Sequence, residues 1–168
     1  MYDAADQVLR DCMDLATATG MRLTDCRTIL LPRDDVLRLK ASKTGKLGSF
    51  DVDLSAVLPG LLARRRAVQA YHVMLLSTHT GRPVSATMLR DRYETAREAA
   101  AAKADQAGQA ELATTIRAMF LRNMRNMRSR AADLADDAGA AQRLLQHGSQ
   151  ATTLRHYRTK SEKLNPAR

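Results

Sequence analysis

Residues Phe120–Thr159 read FLRNMRNMRSRAADLADDAGAAQRLLQHGSQATTLRHYRT, and this stretch decides how the rest of the chain is understood. From Leu112 onward its apolar residues recur at helical spacing. Met119, Phe120, Met124 and Met127 supply apolar volume, and methionines at such spacing ordinarily belong to a core. The helical pattern runs through Arg128 to Leu134 and stops in the segment ADDAG. A short helix, Ala140–Leu145, delivers His147 at its end, and a last helix or turn, about Ala151–Tyr157, presents the tyrosine. Arg128, His147 and Tyr157 thus follow one another on a basic background. Their plain readings are an exposed helix arginine, a helix-end histidine and a packed tyrosine. Together they are also groups that can cut a phosphodiester through a tyrosyl intermediate.

The surrounding charge favours the second reading. The chain has 168 residues, 27 basic against 18 acidic, for a net charge of +9. Arg117, Arg122, Arg125, Arg128 and Arg130 crowd together, and Arg155 to Lys163 form a second basic run. A polyanionic partner, nucleic acid above all, fits that distribution. The length suits one domain with a self-sufficient core. A composition rich in alanine and leucine predicts that helix dominates. No run approaches the ~20 apolar residues of a membrane span. Met1–Asp6 is polar and acidic, unlike a signal peptide. Cys12 and Cys26 lack ligand spacing and read as free thiols of a reducing cytoplasm. No zinc spacing, phosphate-cradling glycine loop or acidic two-metal cluster occurs.

Working outward, residues 4 to 18 form an amphipathic helix with Asp3 as N-cap and Gly20 as terminator. Arg22 lies just past its end, with Asp25 three residues on to orient it or cap a helix. Val36–Lys40 and Phe50–Leu54 alternate and predict a hairpin, with Phe50, Val52 and Leu54 on one face. Its connection, ASKTGKLGS, carries Lys43 and Lys46, each either solvated or able to reach a leaving group. A helix over 55–69, irregular at Pro59-Gly60, ends in Arg64, Arg65 and Arg66, where positive charge suits the helix dipole. Val73–Leu76 suits a third strand. Ser85 caps a long helix to about Ala102, with Leu89, Tyr93, Ala96 and Ala100 buried. Residues 98–110, broken by Gly108, read as a mobile loop or a frayed helix end. Arg158–Arg168 reads as an extended or disordered basic tail.

Taken in order, these segments resemble the catalytic domain of the tyrosine recombinases, specifically phage-type integrases. ATATGMRLTDC resembles the family's first-arginine box, KASKTGKLGSFDVDL its lysine hairpin, and STHTGRPVSATMLRDRYETARE the strand, turn and helix that follow. The Phe120–Thr159 stretch resembles the joined second-arginine, histidine and tyrosine boxes. Three positions depart from the pattern. Arg125 stands where a histidine is usual, Gln146 where a glycine precedes the second histidine, and ten residues rather than nine separate His147 from Tyr157. The resemblance implies an α+β fold, mostly helical, with a small antiparallel sheet. It divides the chain into a catalytic domain, 1–157, and a basic tail, 158–168, with the N-terminal core-binding domain absent.

The resemblance also implies a function: site-specific recombination of double-stranded DNA, as in prophage integration, through a 3′-phosphotyrosine and with no cofactor or metal. Arg22 and Arg128 would stabilise charge on the phosphate oxygens, where a guanidinium's planar fork binds two at once. His147 would donate a hydrogen bond to the same phosphate or assist proton transfer to and from Tyr157, and Tyr157 would attack phosphorus. Lys43, or else Lys46, would protonate the leaving 5′ oxygen. Arg125 is either a catalytic or a plain DNA contact. Lys46, Arg122, Arg130, Arg155 and His156 are candidate DNA contacts. Implied partners are an attachment-site duplex and a synaptic tetramer that exchanges C-terminal segments; the isolated domain is expected to be monomeric. The expected setting is a bacterial or phage-encoded, nucleoid-associated protein of the cytoplasm. The alternative is a DNA-binding relic or regulator with the fold and no turnover.

Overall fold

The computed structural model describes residues 1–159, apart from the side chains of Arg122 and Asn123. The expectations for the Arg122 side chain and for the tail from Lys160 to Arg168 lie outside the described residues. The chain is mostly helical with one antiparallel hairpin, the fold class the sequence predicts.

Helix α1 (Gln7–Thr19) buries Leu9, Cys12, Met13, Leu15 and Ala16. Asp6, not Asp3, is its N-cap: the Asp6 carboxylate accepts from the Leu9 amide at 2.9 Å, while Asp3 lies in a 3-10 turn before it. Gly20 ends the helix at φ 63°. A Cβ there would come within 2.7 Å of Leu145 Cδ2, so both backbone sign and space require glycine. The chain then enters a short helix that sequence periodicity did not reveal, α2 (Leu23–Thr28). Cys12 and Cys26 are buried free thiols.

Strand β1 (Val36–Lys40) occupies its expected span, but β2 runs over Leu47–Asp51 rather than 50–54. The Asp51 side chain accepts from the Asp53 amide and bends the chain into a 3-10 turn, Val52–Leu54. Val52 is still buried, whereas Leu54 is 87% exposed and not on the expected buried face. Helix α3 (Leu58–Ala67) carries Pro59 in its first turn, where a missing amide is harmless, so no irregularity results.

Among the described residues there is no third strand. Val73–Leu76 makes one isolated bridge, Leu30 with Met74. Arg65, whose guanidinium is buried, ties this segment to α3 by donating to the carbonyls of Met74, His72 and Val68 at 3.0, 3.1 and 3.3 Å. Arg64 and Arg66 are ion-paired to Asp11 and Asp35 at 2.6 and 3.2 Å.

Helix α4 (Ala86–Gln106) starts at Ser85, whose hydroxyl accepts from the Met88 amide. It continues beyond Ala102, so residues 98–106 are helix rather than loop or frayed end, and 107–109 form a short turn. Ala100, Ala101 and Ala104 pack against Ala113 and Ile116 of α5 (Ala110–Arg117). Small side chains let the two helices approach closely, and Gly108 at φ 72° makes the turn between them.

The expected continuous helix from Leu112 is broken after Arg117, resumes as a 3-10 turn, Leu121–Met124, and continues as α6 (Arg125–Leu134). Met124 is buried and Met119 and Met127 pack on the core, but Phe120 is 50% exposed. Helix α7 (Ala138–Leu145) is capped by Asp137 and begins two residues earlier than expected. Helix α8 (Gln150–His156) leads to Tyr157. Helix α6 packs on α1 and α7, which places the second arginine beside the end of the first helix.

Gln146, where the recombinase pattern has glycine, is the one non-glycine residue at positive φ among those described, at 55°. Left-handed backbone disfavours a Cβ by roughly 1–2 kcal/mol, and its Oε1 is buried without a partner among the described residues. Gln146→Gly relieves both. Thermal unfolding should show Tm raised by about 2–4 °C, the shift expected per kcal/mol for a chain of this size.

Candidate active site

Arg128 is the best anchored group of the site. It is 5% exposed and shares the inner face of α6 with Ala131 and Ala132, whose small side chains leave room for it. One terminal nitrogen, Nη1, donates to the Gly20 carbonyl. The other donates to the Leu145 carbonyl at 3.1 Å and lies 3.5 Å from His147 Nε2. The guanidinium is therefore pinned between the ends of α1 and α7. Burial, and then the Arg22 charge, push its pKa down from the ordinary arginine value, yet a guanidinium keeps its proton in proteins.

Arg22 leaves the end of α1 and caps α2. Its guanidinium is 3.9 Å from the Asp25 carboxylate, and Asp25 is buried. The other Asp25 oxygen accepts from the Ser42 amide at 3.0 Å. One acid thus holds Arg22 and fastens the base of the lysine-bearing hairpin loop. Arg22, Arg125, Arg128 and Tyr157 together line a cavity of about 220 Å³, floored by Met21, Leu23 and Met124.

Tyr157 lines this cavity beside the arginines. Its ring centroid is 4.7 Å from that of His147 and 5.5 and 6.0 Å from the guanidinium carbons of Arg128 and Arg125. Cations over an aromatic ring are attracted by its quadrupole. His147 follows Gln146 at the end of α7, with Nδ1 2.8 Å from the Thr153 hydroxyl. Its pKa falls to about 4, first through desolvation, then through the charges of Arg128, Arg22, Lys46 and His156. The imidazole is neutral at physiological pH.

That depression predicts a pH dependence. In the unfolded chain His147 takes a proton near its ordinary value of 6.5, in the folded chain only near about 4. Between these the unfolded state binds more protons, so the His147 contribution to stability is complete above pH 6.5 and declines as pH falls toward 4. Unfolding midpoints in denaturant should fall across that window, and less steeply in His147→Gln.

The two lysines are placed differently. Lys46 Nζ donates to the His147 carbonyl at 3.3 Å, and β2 lies so close that a Cβ on Gly48 would meet the Gln146 amide at 2.5 Å. Lys43 is exposed in the hairpin turn, with no contact to the cluster among the described residues. Arg155 and His156 are exposed on α8 beside Tyr157. Arg130 is turned away from the arginine cavity and borders a separate groove with Asp14, Thr17 and Leu134. Among the described residues, no group of three or more His, Cys, Asp or Glu is placed to hold a metal, and no helix is long and apolar enough to cross a membrane.

Three features escaped sequence reasoning: the Gly20 carbonyl as an Arg128 anchor, buried Thr153, and Arg158. Arg158 does not open a loose tail. It is buried and donates to the carbonyls of Ala132, Ala135 and Asp136 at the end of α6. The Asp133 carboxylate accepts from the Thr159 amide at 2.7 Å. An arginine next to the tyrosine, together with a helix end free to accept, was the available sign.

No family model and no curated protein matches the sequence. Solved structures do match. A lambda integrase dimer bound to a COC′ core site aligns with a TM-score of 0.65 at 18% identity, covering 98% of this chain and 47% of that one. The lambda integrase catalytic core aligns at 0.57 and 21% identity, over 87% and 88% of the two chains. The XerH site-specific recombinase bound to a palindromic difH substrate, in a post-cleavage complex, aligns at 0.52 and 17%, over 86% and 40%. The chain spans about half the length of the DNA-bound lambda integrase it matches. It has the fold of a tyrosine-recombinase catalytic domain.

Proposed function

We propose that this chain is a catalytic domain that cleaves and rejoins double-stranded DNA at specific sites through a 3′-phosphotyrosine. The observation that carries this reading is that Arg22 and Arg128, 106 positions apart in the sequence, line one cavity with Tyr157. Arg22, Arg128 and Arg125 bind the non-bridging oxygens of the scissile phosphate and stabilise the charge that gathers there in the transition state. His147, neutral and against the Tyr157 ring, takes the phenol proton. The Tyr157 oxygen bonds to phosphorus as the bond from phosphorus to O5′ breaks. A hairpin lysine, Lys43 or Lys46, gives O5′ its proton. Reversal of these transfers rejoins the strand, since the phosphotyrosine conserves the bond energy.

The solved relatives include a lambda integrase tetramer bound to a Holliday junction. By analogy the partner here is a DNA duplex, the working assembly is an oligomer on DNA, and the biological role is integration or excision of a mobile element. A second reading, DNA binding without turnover, is favoured by Arg125, since a guanidinium cannot shuttle a proton. The test is incubation with nicked suicide duplexes carrying a randomised core. Cleavage releases the short strand and traps a denaturation-resistant protein–DNA adduct. Retention of DNA in native gels with no adduct, from the chain joined to any DNA-clamping domain it natively carries, decides for the second reading.

A further inference from the structure

Resting on that reading, we infer that Thr153 is a positioning residue that, as the acceptor for Nδ1–H, holds His147 in the tautomer whose bare Nε2 faces Arg128. The hydrogen bond between Nδ1 and the Thr153 hydroxyl, 2.8 Å, is compatible with either direction, because a hydroxyl both donates and accepts. The other face of the ring resolves the direction. Nε2 is 3.5 Å from an Arg128 terminal nitrogen, and a guanidinium only donates. A proton on Nε2 would point at a fixed cation, whereas a lone pair there is attracted to it. Nε2 is therefore bare, Nδ1 carries the hydrogen, and Thr153 accepts it.

Thr153 is suited to hold that state. It is 0% exposed, so no bulk water competes for Nδ1–H. Its carbonyl accepts from the amides of Tyr157 and Arg158 at 3.0 and 2.9 Å. A single residue thus holds the imidazole through its hydroxyl and the Tyr157 backbone through its carbonyl. The groups facing the imidazole are Arg128 from α6, Arg22 from the start of α2, Lys46 from the hairpin, and His156 and Tyr157 from the end of α8. The cations among them oppose protonation, which keeps the lone pair available.

The test uses the full chain without DNA, labelled with ¹⁵N-histidine, and long-range ¹H–¹⁵N correlation spectra. The expected His147 pattern has a protonated Nδ1 and a bare Nε2, retained in Thr153→Ser and lost toward the Nε2–H form in Thr153→Val, which keeps the shape and removes the acceptor. On suicide duplexes, Thr153→Val should slow adduct formation at saturating DNA by about 10- to 100-fold, since a misplacement of about 1 Å in an active site can cost 10²-fold. DNA affinity should be unchanged, and Thr153→Ser should restore the rate. An Nε2–H pattern in the wild type, or an unaltered pattern in a folded Thr153→Val, overturns the inference. If Thr153→Val does not fold, the wild-type and Thr153→Ser spectra still decide. Absence of any adduct from the wild type would count against the cleavage reading, while the spectra judge the tautomer independently.

Discussion

Tyr157→Phe folds, binds DNA and forms no denaturation-resistant adduct on nicked suicide duplexes. The substitution removes one oxygen and keeps the ring, so the 4.7 Å approach to His147 and the positions over Arg128 and Arg125 survive. Tm should stay within about 4 °C, because deleting a single partly buried hydroxyl changes stability by about 1 kcal/mol or less. Adduct yield should fall by at least about 10³-fold, since loss of a nucleophile removes the covalent route altogether. The chain has three other tyrosines. Tyr93 is buried, Tyr71 is almost fully exposed, and Tyr2 donates to the Asp14 carboxylate at 2.9 Å; none lines the arginine cavity. An adduct that persists in Tyr157→Phe sinks the assignment of the nucleophile.

What could be read from the sequence follows how local the determinants are. Gly20 and Ser85 end and start helices through their own backbone or hydroxyl, and the stripe Leu89, Tyr93, Ala96, Ala100 declares a buried face by its spacing. The errors lie where a particular side-chain bond or packing partner decides. Val73–Leu76 is tied to α3 by Arg65 and pairs at only one bridge, and Asp51 bends the chain before the alternation ends. The alanines near residue 100 look featureless until Ala113 and Ile116 are set against them. The site was readable as an ordered series of residue types, not as a geometry. The bond from Arg128 to the Gly20 carbonyl spans 108 positions, and the one from Lys46 to the His147 carbonyl spans 101. No local pattern announces either. The Lys-Thr-Gly motif drew attention to Lys43, whereas Lys46 is the lysine that touches the cluster.

Arg128 joins fold and chemistry, so its replacement should damage both in separable amounts. Arg128→Ala removes the donor from two buried carbonyls, those of Gly20 and Leu145. Each such orphan costs about 1–3 kcal/mol, so Tm should drop by roughly 5–15 °C. Adduct formation should fall by about 10³-fold or more, since each well-aimed donor to a charged transition state is worth about 10²–10³ in rate. Arg128→Lys separates the two effects. An ammonium can reach one carbonyl and restore part of the stability, but it lacks the planar fork that grips two phosphate oxygens. Burial also disfavours its charge, as it already does for the guanidinium. Arg128→Lys should therefore recover about half of the Tm loss while its adduct rate stays at least about 10²-fold down. Thermal unfolding and suicide-substrate kinetics on the same preparations check this. A near wild-type rate in Arg128→Lys would show that any cation suffices at this position, and an unchanged Tm in Arg128→Ala would show that the two carbonyls are satisfied without it.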